Sequence, residues 1–137
     1  MSQWLRKTSL YFAAGSLGGL VNSIAVWLFG AYGINAALNV AIQPRLTPGW
    51  LYPRIVWGGI WGLLFLLPLV KSRFVLRGLM VSLGPTLVQL FYIFPTVQHK
   101  GMLGLKLGLL TPLLVILFNA IWGIAATFWL RMVDRSA

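Results

Sequence analysis

Four stretches of the chain carry no charged side chain, and they settle the fold class before composition is consulted. They cover residues 8–44, 55–70, 78–99 (with His99 neutral) and 107–130. A helix rises 1.5 Å per residue and needs about 20 residues to cross the hydrocarbon of a bilayer. The first, third and fourth windows are long enough unaided. The second has 16 residues and reaches about 24 Å. Tyr52 and Pro53 can extend it, with Arg54 and Lys71 snorkelling to the headgroups at its ends.

These windows predict an all-α polytopic membrane protein of four transmembrane helices with short loops. The expected spans are about 8–32, 53–70, 74–94 and 107–132, within a single domain over residues 1–137. Composition agrees, with 59% of residues apolar and 9% charged, against about 25% charged in soluble proteins. Mean hydropathy is +0.87. Arg6 and Lys7 precede the first apolar run as the n-region of a targeting signal would. The run from Leu10 to Ala31 is longer than an ordinary signal core, and no small-x-small cleavage site follows. The expectation is a retained first helix.

Loop charges orient the four-helix scheme. One side collects Arg6, Lys7, Lys71, Arg73, Arg77, Arg131 and Arg135, and the other Arg45, Arg54, Lys100 and Lys106. The positive-inside rule then places both termini in the cytoplasm, as in a bacterial inner membrane. Between the first two helices, "INAALNVAIQP" repeats amides at Asn35, Asn39 and Gln43. That spacing predicts an interfacial helix, with a re-entrant element as the alternative. Thr47 followed by Pro48 can cap and start a helix, and Trp50 and Tyr52 suit an aromatic belt. "SLG" occurs at Ser16 and Ser82, and "IWG" at Ile60 and Ile121, a weak echo compatible with a 2+2 internal repeat.

The glycine-rich stretch "GSLGGLVNSIAVWLFG" has the wrong spacing for a dinucleotide loop, and the chain's one acid, Asp134, lies far downstream. Gly15 and Gly19, Gly58 and Gly62, and Gly104 and Gly108 instead form G-x-x-x-G pairs, which on helices allow close backbone contact. Asn22, Gln89 and Asn119 are the intramembrane amides. Each either bonds across helices or lines a polar path, because an unpaired amide in hydrocarbon costs several kcal/mol.

Charge is expected at the helix ends, with no acidic or basic side chain deep in any helix. Proton relays, cation-coupled transport and carboxylate proteases are therefore disfavoured. With no cysteine and one histidine, no metal site, cofactor or enzyme activity is expected. Lys71, Arg73 and Arg77 in "VKSRFVLRG" should meet anionic headgroups or an acidic partner. Nucleic acid is not expected, since the basic groups form no continuous patch. The functional expectation is a non-catalytic protein acting through helix packing, as a homo-oligomer or a small accessory subunit of a larger membrane complex. The alternative is a small oligomeric channel or carrier for an anion or neutral solute.

Overall fold

Helix α1 covers Gln3–Ala31, and the Ser2 side chain caps it by accepting from the Leu5 N–H. Gly33 follows in the left-handed region at φ 77°, which turns the chain out of the helix. In this computed structural model, which describes residues 2–68 and 73–133, four further helices follow. They are the single turn α2 (Ile34–Ala37), α3 (Pro48–Gly62), α4 (Phe74–Val88) and α5 (Thr111–Val133). A 3₁₀ turn at Leu63–Leu66 continues α3, and a π-helix at Gln89–Val97 continues α4.

Three of these helical segments, and not four, are long and apolar enough to cross a membrane: Gln3–Ala31, Phe74–Val97 and Thr111–Val133. The expectation of a fourth such helix over 53–70 is overturned by where α3 begins and ends. Thr47 accepts from the Trp50 N–H and Pro48 occupies the first turn, so the helix starts five residues early. At its other end it carries Gly58, Gly59 and Gly62, poor helix formers, then tightens into 3₁₀ winding. Leu67 is extended (φ −70°, ψ 134°), as the residue before Pro68 must be. Fifteen α-helical residues span about 22 Å, short of the roughly 30 Å hydrocarbon layer. The expected end of that helix at residues 69 and 70, and Lys71, lie outside the described residues.

The helices form an open row in the order α3, α1, α5, α4. Neighbours in the row are antiparallel. Gly19 lies on Arg54 and Gly58 while Gly15 lies on Gly58 and Gly62; on the far side, Gly78 lies on Gly123. Between α1 and α5, Asn22 meets Phe118 and Gly15 meets Trp122. α3 and α4, the two ends of the row, make no comparable contact.

Of three apolar clusters, the two larger run along this row. One gathers Tyr11, Ala14, Phe65, Val81, Trp122, Ala126 and Leu130, with Phe65 stacked on Trp122 at 5.7 Å. The other joins Val26, Val40, Leu114 and Phe118 near the opposite end. The outward faces stay apolar, with Leu83, Leu87, Phe91, Leu113 and Ile116 exposed. A helix that is apolar both inward and outward suits a lipid surround, and the chain is an integral membrane protein.

Three further expectations change. The 35–43 segment is not an amphipathic helix: α2 stops after one turn and Asn39 sits at φ 59°. Asn35 is buried and donates to the Ile42 carbonyl at 2.8 Å, which ties the loop onto itself. Gly104 and Gly108 precede α5 and adopt φ values of 71° and 154°, so they are not a helical pair. A Cβ on Gly104 would stand 2.6 Å from the Phe94 ring. Finally, charge does enter the bundle, because Arg77 on α4 is only 3% exposed.

Candidate functional site

The site is built outward from Asn22, on the face of α1 where α3 and α5 converge. Its Nδ2 donates to the Phe118 carbonyl at 2.6 Å, and its Oδ1 accepts from Arg54 Nη2 at 2.8 Å. The next residue, Ser23, accepts from Arg54 Nε at 2.8 Å and donates to the Gly19 carbonyl at 2.7 Å. Close approach makes this reach possible: a Cβ on Gly19 would stand 2.8 Å from the Arg54 carbonyl. Trp50, one turn before Arg54, places its ring 4.7 Å from the guanidinium carbon, within cation–π range.

Two adjoining cavities open from this cluster, of about 340 Å³ and 420 Å³. Both are lined by Asn22, Arg54, Gln89, Gln98 and Asn119. The smaller lies under the connecting loops, where Ala41–Pro44, Trp50 and Lys100 complete its wall. A hydrogen bond from the Ala41 N–H to the Leu107 carbonyl (2.8 Å) joins those two loops. The larger occupies the gap between the ends of the row. Trp57 and Trp61 of α3 face Pro85, Val88 and Tyr92 across it. Each volume falls in the range of small-molecule sites, about 300–1,000 Å³.

The far wall owes its shape to proline. Pro85 lacks an N–H for the α ladder, and Thr86 and Ser82 hydroxyls donate to the Ser82 and Leu79 carbonyls there. The helix then relaxes into π winding from Gln89, with Pro95 inside it. Such wide turns favour functional positions. Asn119 on α5 donates to Thr86 Oγ1 at 3.0 Å, which holds the α4 wall to the floor of the cleft.

The electrostatics are one-sided. Arginine stays protonated in proteins and presents five N–H donors. Arg54 commits two of them, to Ser23 and Asn22, and Lys100 adds a second cation at the loop-side cavity. No carboxylate occurs among the described residues, the chain's one acid being Asp134. Nor do those residues contain a group of three or more histidine, cysteine or acidic side chains that could hold a metal.

The three amides expected inside the membrane, Asn22, Gln89 and Asn119, thus come together around one cleft. Gly15, Gly19, Gly58 and Gly62 line the α1–α3 contact beside it. The basic group expected at the headgroups divides. Arg73 is exposed at the start of α4. Arg77 is buried between the Tyr11 and Phe65 rings, donating Nη2 to the Phe65 carbonyl at 2.7 Å, and so does not reach the headgroups. The linear charge pattern marks Arg54 as a loop charge, whereas the structure places it at the cleft. The signal was present in Thr47–Pro48: a helix starting there puts Arg54 almost two turns inside it. Comparison with protein-family models, curated proteins and solved structures yields no match.

Proposed function

We propose that the protein is a non-catalytic membrane protein that takes up an anionic ligand in the cleft around Arg54. One observation carries this reading: a permanently charged guanidinium faces two cavities, and no carboxylate among the described residues neutralises it. A charge within a membrane protein is costly unless it is paired or solvated, and such residues mark ligand or ion paths. Asn22 and Ser23 fix the guanidinium by accepting from it on one side, leaving its remaining donors for the cleft. A purely packing role, as a self-associating or accessory subunit, accounts for the glycine contacts but gives the open arginine nothing to do.

Orientation belongs to the same proposal. Arg6, Lys7, Arg73 and Arg131 gather at the end of the bundle where α1 starts and α5 finishes, with Arg131 over the Phe74 ring at 4.8 Å. A cytoplasmic placement of that end follows the positive-inside rule, and the cleft's loops then face the opposite side.

The chain has no cysteine, so Gln89→Cys supplies a single thiol at the cleft. The variant in liposomes is treated with an anionic and a cationic thiosulfonate of similar size. The anionic reagent should react about tenfold faster, as expected for a nearby cation at intermediate dielectric. Arg54→Gln should erase that preference. Equal rates in the presence of Arg54, or no reaction with either reagent, would falsify the proposal.

A further inference from the structure

The larger cavity is not a pit reached from water alone. It is the open, loop-side part of the seam between α3 and α4, which closes deeper where Gly84 of α4 lies on Trp61 and Leu64. Its two ends differ in chemistry. At the loop end stand Arg54, Gln89, Gln98 and Asn119; toward the other end the walls are Trp57, Trp61, Pro85 and Trp122. Along α3, Arg54 lies six residues past Pro48, about 9 Å from the start of the helix. Trp61 lies seven residues further, about 10 Å deeper along the same face. A cation near the membrane surface with an apolar groove running inward matches the layout of a lipid, whose charged head and chains are ordered in the same direction.

We infer that the cleft's ligand is an anionic phospholipid from the bilayer, its phosphate on Arg54 and its chain in the groove between α3 and α4. This rests on the reading of the cleft as an anion site and names the ligand class. Charge complementarity selects the head, because a planar guanidinium fork suits phosphate oxygens and no carboxylate among the described residues competes for it. Lys100, at the loop-side cavity adjoining the same five residues, adds attraction for a negative headgroup. The open seam selects a lipid over a soluble anion. Trp57, Val88 and Tyr92 are exposed at its mouth, so a chain can enter sideways while its head remains at the depth of Arg54.

The test uses full-length protein in nanodiscs of phosphatidylcholine and phosphatidylglycerol in equal parts, ejected intact into a mass spectrometer. One retained phosphatidylglycerol per chain is expected, and no phosphatidylcholine. Arg54→Gln should lower its occupancy at least tenfold, Arg54→Lys less, and Arg73→Gln not at all. Val88→Trp fills the groove while leaving Arg54 in place. It should lose the lipid but keep the anionic-reagent preference at Gln89→Cys. Retention of phosphatidylcholine as readily as phosphatidylglycerol, or a lipid adduct indifferent to both Arg54→Gln and Val88→Trp, would overturn the inference. So would displacement of the lipid by soluble glycerol phosphate at equal concentration, since the chain would then contribute nothing. In that last case the reagent preference persists, and the anion-site reading survives without the lipid. Loss of the preference removes both.

Discussion

Two adjacent faces of α3 meet their surroundings in opposite ways. One carries Gly58 and Gly62 against Gly15 and Gly19 of α1, so close that a Cβ on Gly58 would stand 2.7 Å from the Gly15 carbonyl. The other carries Arg54, Trp57 and Trp61, touching α4 only where Trp61 reaches Gly84 and otherwise leaving a gap to α4. Small residues seal helices in a membrane by letting backbones touch; a large ring and a charge on the same helix hold a space open. The two buried-side arginines repeat the contrast. Arg77 is enclosed by the Tyr11 and Phe65 rings and bonded to a backbone carbonyl, whereas Arg54 is held from one side and open on the other. The same residue type is thus part of the fold in one place and available to a ligand in the other.

Breaking the sealed face should have the largest effect. Gly58→Leu forces α1 and α3 apart along their backbones and should destabilise the protein by about 3 kcal/mol or more, read from denaturant unfolding in detergent micelles. Gly49→Ala is the control, since nothing lies within 4 Å of a Cβ there, and it should be close to neutral. A Gly58→Leu loss below about 1 kcal/mol would mean that the seam is looser than its geometry.

Next in size stands Arg77→Ala. Phe65 lies in the 3₁₀ turn that ends the α3 arm, where carbonyls lack helical donors. Losing Arg77 unpairs that carbonyl and empties space between two rings, an expected cost of about 2–4 kcal/mol. Arg54→Gln, by contrast, removes contacts to two side chains at the edge of a cavity. Interhelical polar contacts of that kind average about 0.6 kcal/mol in membrane proteins. If Arg54→Gln proves as destabilising as Arg77→Ala in lipid-free micelles, the division between a structural and an available arginine fails.

That division could not be read from a linear charge pattern. The charge-free windows located the three long helices because hydrocarbon excludes charge regardless of tertiary detail. They misled over the second window, where three glycines and a pre-proline residue shorten the α-helix and composition gives no warning. Arg54 and Arg77 both flank such windows, so both looked like headgroup charges. Whether a flanking arginine turns outward or inward depends on what the neighbouring helix offers. Asn22 and Ser23 offer two acceptors to Arg54, and the 3₁₀ turn offers a carbonyl to Arg77; neither acceptor is near its arginine in sequence. Gly104 and Gly108 depart from the helical expectation for a related reason. Their spacing satisfies the helical motif, but their positive φ values belong to a loop folded over Phe94 and Asn39.

The smallest expected effect is also the sharpest discriminator between the two arginines. Raising salt from about 0.01 M to 1 M shrinks the Debye length from roughly 30 Å to 3 Å. Arg54 borders two cavities, and on the anion-site proposal the anionic-reagent preference at Gln89→Cys should fall severalfold over that range. Arg77 is 3% exposed, and mobile ions cannot approach it. The stability difference between wild type and Arg77→Ala should therefore change by less than about 0.5 kcal/mol over the same range, since buried interactions are screened far less than exposed ones. A salt-insensitive preference at Gln89→Cys would mean that the Arg54 cavities are closed to bulk ions. A salt-sensitive Arg77 would mean that the enclosure by Tyr11 and Phe65 opens in solution, and the two sites would then differ only in degree.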